Sequence, residues 1–494
     1  MDRREFLTRA GMLGGAAVLG PTLLSACDDD TGGNGTSGSA PAFRSILDSP
    51  AGEAPVDTIV VVMMENRSFD HYLGWLATDD RFLESGRSRY GGDFAVDGQL
   101  DQTYAAPDGA DVSTTHWLSV EGESDPWRGC GHPDPGHSWT AGRVQRDRGF
   151  LAEGSGNDRY AIGYYLQDDL PFTSRLATRF TTFDQWHCSV LAPTYPNREY
   201  LLSGQSGGHK DNFLPLGEGG FTWPTIWDRL AAANVPARYY YVDLPVPILW
   251  STGVQASGAT TIDNYFDDAA AGELPNVVFV DPAFIGAGRT DDHPHADIRA
   301  GQRFLRDVFQ AFAESSHWER GAFVVTYDEW GGFFDHVSPP EFADDSTSDN
   351  DDDNFAQAGF RVPSLIASPY ARPGYVDHTV MEHTSVLRFL EWRFLGAPAT
   401  GPGGNDDTWY LTERDRNAYN LGAALGLEEP DPEVDVDVEL DPPTPDCAPG
   451  EEGYEGNAQP AAYVPPPGDS WTEMVESGYL ERMGVAYEPA PVWA

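Results

Sequence analysis

The chain has 494 residues, 40% of them hydrophobic, enough for a large core in one big domain or two ordinary ones. Acidic residues number 78 against 31 basic, a formal net charge of -47, and Lys210 is the single lysine. Such a surface repels polyanions, which argues against nucleic acid and anionic membrane as partners and otherwise suits a solvated exported protein.

The N-terminus carries a targeting signal. Arg3-Arg4-Glu5-Phe6-Leu7 is a twin-arginine pattern. Residues 10–26 are weakly apolar and broken by Gly and Pro, so they read as a signal segment rather than a membrane span. Leu24-Ser25-Ala26-Cys27 has the form of a bacterial lipobox. The expectation is a signal peptide over 1–27 and export by the twin-arginine route. A lipid on Cys27 would then anchor the protein to a membrane, facing the periplasm or cell exterior. The plainer alternative is an ordinary cleavage site with an incidental cysteine. Residues 28–54, rich in Gly, Ser, Asp and Pro, read as a flexible tether. Cys130, Cys188 and Cys447 remain, an odd number that argues against a disulfide framework. Cys130 and Cys447 are free to pair outside the cytoplasm, and the absence of a C-x-x-C pair gives no cysteine zinc site.

From Val56 onward short apolar runs alternate with helical patterns. Thr58–Met64 (TIVVVMM) is continuously apolar, as a strand buried on both faces would be. Residues 276–280 (NVVFV), 322–326 (AFVVT) and 362–367 (VPSLIA) are similar. Trp227, Leu230 and Ala231, then Ile298, Leu305, Val308, Phe309 and Phe312, then Val386, Leu387, Leu390 and Phe394, recur at helical spacing. The alternation predicts a three-layer α/β/α sandwich with a mainly parallel central sheet over residues 55–400. Sites in such sheets collect beyond the carboxyl ends of the strands. Residues 341–354 form an acidic loop without the full calcium-loop signature, and 401–494 read as an acidic, Pro-rich extension wrapped over the domain.

Glu65-Asn66 follows the first buried strand, and a carboxylate beside an amide oxygen makes a pair of hard-metal ligands. Alone, the block reads better as a helix start, with Asn66 or Ser68 capping and Glu65 complementing the dipole. Asp328-Glu329 follows another buried strand, with Gly331-Gly332 letting backbone approach a ligand. Two acidic pairs at neighbouring strand ends are costly without a cation between them. His336 is a candidate proton donor, or else a structural histidine bonded to Asp335. Thr194 sits in a Pro-bracketed turn (Pro193-Thr194-Tyr195-Pro196-Asn197-Arg198) ahead of a short apolar helix over 199–203. A helix start attracts anions, and Arg198 adds a positive fork. The hydroxyl is a candidate nucleophile, or simply a helix cap. Gly204-Gln205-Ser206-Gly207-Gly208 has the form of a nucleophile elbow, but without the strand that motif needs before it.

These blocks, in order with Asp292-His293-Pro294 and His383-Thr384-Ser385-Val386-Leu387-Arg388, resemble the bacterial phosphoesterase family of phospholipases C and acid phosphatases, which has an alkaline phosphatase-like fold. The resemblance implies one divalent metal ion, of unidentified element, on Glu65, Asn66, Thr194, Asp328 and Glu329. It implies Thr194 as nucleophile and His137, His293 and His336 near the phosphate, with His295 and His383 in supporting positions. Threonine at the nucleophile position resembles the phospholipase C branch, whereas the acid phosphatases carry serine and an adjacent His-His pair. The comparable region here is Arg238-Tyr239-Tyr240-Tyr241. The implied function is phospholipase C-type hydrolysis of a phospholipid or other phosphate ester. A phosphomonoesterase and a lipid-anchored binding protein with a structural metal site are the alternatives.

Overall fold

The computed structural model describes residues 43–487 except 216–218, 287, 347, 349, 403–408, 445, 454–469, 484 and 486. The expected signal peptide, lipobox and most of the tether lie outside the described residues. Arg44–Ala494 forms one compact unit. It takes in the end of the segment read as tether. Ile46 is fully buried, and its N–H donates to the Leu425 carbonyl at 2.9 Å. Ala54 is fully buried as well, and Leu47 and Ala51 pack against the core, so a few apolar residues anchor a stretch whose composition reads as tether. The described parts of the C-terminal extension are also packed, with Leu421, Leu425, Trp471, Met474 and Tyr479 buried.

The sheet has eight strands: β1 (Thr58–Met64), β2 (Thr181–Phe183), β3 (Ala237–Tyr241), β4 (Thr260–Thr261), β5 (Val277–Asp281), β6 (Gly321–Tyr327), β7 (Ser364–Ala367) and β8 (Tyr375–Asp377). Their spatial order is β8-β2-β7-β6-β1-β5-β3-β4. β1 pairs in parallel with β6 and β5, and β3 in parallel with β5 and β4. β7 alone runs antiparallel, between β6 and β2. Every residue of β1, β5 and β6 is buried, so both faces are covered, which is why these strands read as unbroken apolar runs. β3 is an alanine, an arginine and three tyrosines (ARYYY) and β2 has three residues, and neither gives that signal. The helix Ile298–Glu314 turns Ile298, Phe304, Leu305, Val308, Phe309 and Phe312 into the core.

Cys130 and Cys447 form a disulfide across 317 residues of sequence. It ties the loop leading to His137 to the C-terminal extension. Closing so long a loop stabilises by about 3–5 kcal/mol through the unfolded chain. A Cys130→Ser/Cys447→Ser variant should therefore melt several degrees below wild type in calorimetry. An unchanged melting temperature would contradict this.

Candidate metal and phosphoester site

Three neighbouring parallel strands stop together: β1 at Met64, β6 at Tyr327 and β5 at Asp281. Met64 and Tyr327 are in register. Beyond them the backbones cross-link. Asp328 N–H donates to the Met64 carbonyl at 3.0 Å, Arg67 N–H to the Glu329 carbonyl at 3.1 Å, and Glu65 N–H to the Asp291 carbonyl at 2.7 Å. Asn66 takes a left-handed turn, φ 59°, and its N–H donates to Asp328 Oδ1 at 3.1 Å. Gly331 must be glycine: at φ 62°, a Cβ would lie 2.1 Å from the Asn66 carbonyl oxygen. The glycine thus lets the backbone approach the Asn66 turn, where a ligand was expected. The next helix begins only at Phe69, so Glu65 and Asn66 do not cap it.

Glu65, Asn66, Asp328 and Glu329 are buried. Burial pushes the Glu65 carboxyl well above the usual carboxylate range, and the charge of Asp328 adds to it. Glu329 rises for the same two reasons in the same order. Burial raises Asp328 against the opposing pull of Arg198. Burial likewise pushes Asp281 up to about 6, again against Arg198. One guanidinium serves this group. Arg198 reaches Asp328 Oδ2 through Nε at 3.1 Å, Asp281 Oδ1 through Nη1 at 3.1 Å and Glu65 Oε1 through Nη2 at 3.3 Å. It is therefore committed to the carboxylates, where the sequence suggested a fork for the phosphate. Arg198, with Arg289 acting on Glu65 from farther off, faces the four carboxyl groups of Glu65, Asp281, Asp328 and Glu329, which leaves the ionised cluster negative and suited to a cation.

The atoms present fit such an ion. Asn66 Oδ1 and Glu329 Oε1 are buried with no hydrogen-bond partner, which costs about 1–3 kcal/mol per group unless something accepts the lone pairs. An all-oxygen set is that of a hard divalent ion such as calcium, magnesium or manganese. The protein ligands would be Glu65, Asn66, Asp328 and Glu329.

Thr194 opens the helix Thr194–Ser203, with Pro193 as cap and no side-chain cap bond. The reading of Thr194 as an N-cap is thereby excluded. The helix starts five residues before the apolar pattern suggested, since Pro196 fits a first turn. Asn197 braces the turn: its Nδ2 donates to the carbonyls of Val190, Ala192 and Pro193 at 3.1, 2.8 and 3.2 Å, and its Oδ1 accepts from Val190 N–H at 3.0 Å. Arg198 lies one turn on, on the same helix face as Thr194. The nucleophile candidate thus opens the helix that Arg198 ties to the strand ends.

The histidines divide. His137 Nε2 lies 3.5 Å from Asn66 Nδ2 and 4.0 Å from Glu329 Oε1. His293 packs edge-on against His137, ring centroids 5.8 Å apart. His336 is held elsewhere: Nδ1 meets Asp70 at 2.6 Å and Nε2 meets Asp97 at 3.0 Å, in a cluster where Arg361 also binds Asp70 and Asp335. With both nitrogens taken, His336 is not placed to protonate a leaving group. His383 Nε2 donates to the Asp328 carbonyl at 2.7 Å, and His295 Nε2 to the His132 carbonyl at 2.8 Å. Ser206 donates to the His209 carbonyl at 2.9 Å and follows a helix, which disposes of the elbow. Tyr239 bonds Asp281 from β3, in the region comparable to the family's His-His pair.

Sequence reasoning missed four residues. Asn197 is one. Asp134 stands beside His137 and His293. Arg289 lies near enough to pull on the charges of Glu65, Asp134 and Asp291. Trp471, from the helix Ser470–Glu476, donates Nε1–H to Glu65 Oε1 at 3.2 Å, stacks on Phe284 and packs at a tilt against Tyr195. No pattern announces it, because it lies about 400 residues away in a polar, Pro-rich stretch.

The model of the Phosphoesterase family matches residues 56–395. The chain belongs to the Phosphoesterase family. Non-specific phospholipase C1 of Arabidopsis thaliana is 30% identical over 403 residues, covering 74% of this chain and 69% of that protein. Phospholipase C A of Mycobacterium tuberculosis is 28% identical over 468 residues, covering 81% of each. A solved protein in the alkaline phosphatase superfamily from Vibrio parahaemolyticus aligns at TM-score 0.32 and 11% identity, covering 63% of this chain and 77% of that one, too faint a likeness to carry an argument. This phosphoesterase is thus a hydrolase acting on phosphoric esters.

Two measurements check the geometry. Burial lowers the pKa of His336, but the hydrogen bond and charge of Asp70 outweigh it and the net shift is upward. Its stabilisation is thus fully present below the unfolded value of about 6.5 and fades as pH rises through the folded pKa. His336→Gln should lower the melting temperature most near pH 6 and less at higher pH; a deficit that grows with pH would contradict the pairing. Trp471→Phe keeps the stacking and loses the bond to Glu65, so divalent-ion affinity by calorimetric titration should fall about 10-fold or more. Unchanged affinity would remove Trp471 from the site.

Proposed function

We propose that this phosphoesterase cleaves phospholipids by phospholipase C-type diester hydrolysis, with Thr194 as nucleophile and a divalent ion on Glu65, Asn66, Asp328 and Glu329. The observation that carries the reading is the orphaned pair Asn66 Oδ1 and Glu329 Oε1, buried among raised carboxylates that the Thr194 helix grips through Arg198. The bound ion would lower the pKa of the threonine hydroxyl and offset charge on the phosphoryl oxygens. Thr194 Oγ1 attacks phosphorus as its proton passes to a neighbouring imidazole Nε2, of His137 or His293, and the diacylglycerol oxygen departs with that proton. Water then releases the headgroup phosphate from the threonine. Asn197 braces the turn, and Arg289 adds positive charge near Glu65 and Asp134. His137 and His293 face phosphorus as acceptors, because Nδ1–H of each is committed to a carbonyl.

The surface charge supports a zwitterionic substrate, since an enzyme at net charge -47 is repelled by anionic lipid. The Cys130–Cys447 disulfide supports an oxidising compartment, in keeping with the expected export and the lipid on Cys27.

Nitrophenyl phosphorylcholine should turn over faster than nitrophenyl phosphate, and the reverse order would favour the monoesterase. Thr194→Ala should lose about 10³-fold or more in kcat while still binding its metal, and Thr194→Ser should keep measurable activity. Full activity in Thr194→Ala would overturn the nucleophile. A wild type with no hydrolysis of either ester would leave a binding protein.

A further inference from the structure

We infer that the loop over residues 209–214 is the surface by which this phosphoesterase seats on a zwitterionic phospholipid layer, with Phe213 as the side chain that enters it. The choice of partner rests on the phospholipase reading above.

Three large apolar side chains are exposed among the described residues: Phe213 at 39%, Val380 at 36% and Tyr419 at 61%. Val380 and Tyr419 line one groove together. Phe213 stands on a loop instead, with half-buried Leu214 beside it. A single exposed ring needs no explanation by itself. The points at which this loop is attached supply one. Asn212 Oδ1 accepts from Tyr195 N–H at 2.9 Å, one residue beyond the candidate nucleophile. Lys210 Nζ lies 5.1 Å from the centre of the Trp139 ring, two residues beyond His137. The loop is thus tied to the first residues of two helices, Thr194–Ser203 and Trp139–Arg148, that begin at the candidate site.

The loop holds its shape. Phe213 N–H donates to the Asp211 carbonyl at 2.8 Å, and His209 N–H to the Ser206 carbonyl at 3.1 Å. The Phe213 ring stacks on His209 at 4.5 Å between centroids, His209 packs at a tilt on Phe221 at 5.0 Å, and Phe221 stacks on Trp223 at 4.3 Å. Phe221 is buried, and Trp223 Nε1–H donates to Ser203 Oγ at 3.1 Å, at the last residue of the Thr194 helix. One end of this column of rings meets water and the other is fixed in the core. Phe213 is therefore ordered before it meets a partner, and little freedom is lost on insertion. Aromatic rings are the side chains that the boundary between lipid and water accepts best.

The substrate gives the reason for a lipid partner. The phosphorus of a phospholipid lies at headgroup depth, so the enzyme must meet the layer with the residues around its nucleophile. Charge then selects the layer. Lys210, the single lysine, is met by Asp353 at 2.6 Å, and the chain as a whole carries -47. An anionic layer would repel such a surface, which leaves apolar insertion into a zwitterionic one.

The test uses full-length protein carrying Cys27→Ser, which removes the expected lipid, together with phosphatidylcholine vesicles. Adding Phe213→Ser should weaken co-sedimentation with the vesicles about 10-fold and slow their hydrolysis by a like factor, while soluble nitrophenyl phosphorylcholine turns over at the parent rate. Phe213→Trp should bind and cleave vesicles as the parent does. A parent that does not bind vesicles, unchanged vesicle binding in Phe213→Ser, an equal loss on the soluble ester, or Phe213→Trp as weak as Phe213→Ser would each overturn the inference. So would a dimer in light scattering that Phe213→Ser dissociates with vesicle binding intact, since a second copy would then cover this face. A parent that binds vesicles through Phe213 yet cleaves no phosphatidylcholine would leave the surface standing and sink the phospholipase reading.

Discussion

Carboxylates taken out of water repel one another and resist ionisation, and several kcal/mol per group must be offset by something positive. At the carboxyl ends of β1, β5 and β6 this phosphoesterase buries Glu65, Asp281, Asp328 and Glu329 together. Arg198 is the shared counter-ion, and its bonds to three of them fix how the helix Thr194–Ser203 seats on the sheet. Thr194 lies one turn before Arg198 on that helix, so the pairing that offsets the acids also fixes the backbone that carries Thr194. The remaining negative charge and the two orphaned oxygens then call for a cation.

That constraint explains why distant segments converge here. The loop of His137, braced by the disulfide to Cys447, closes one side. Trp471 closes another, with its indole N–H on Glu65 and its ring against Phe284, whose face also carries Arg198. Each adds a fixed donor, ring or lone pair to a site the sheet alone leaves open. A segment that composition marks as a peripheral extension is therefore part of the wall around the reacting centre.

Strands β1, β5 and β6 were legible because burial on both faces leaves an unbroken apolar run, and the acidic pairs could be placed at their ends for the same reason. The antiparallel course of β7 was not legible, since direction leaves no mark on four apolar residues. β3 was missed because Arg238 and three tyrosines resemble no core strand, though Tyr239 bonds Asp281 beneath the site. Arg198 was read as a fork for the phosphate at the start of a helix over 199–203, whereas the helix already begins at Thr194 and the carboxylates facing Arg198 depended on tertiary structure. His336 was misassigned for a similar reason, because Asp70 and Asp97 reach it from elsewhere in the chain. Asp134 had a weak signal, standing three residues before His137 in a Pro-rich loop. Trp471 had none.

The central claim is that Thr194 forms a covalent phosphoryl intermediate, and the stereochemistry at phosphorus tests it most directly. A phosphorothioate diester of one handedness, hydrolysed in isotopically labelled water, should give product with net retention, since two in-line displacements each invert the centre. Net inversion would mean that water attacks phosphorus directly, and would contradict the account.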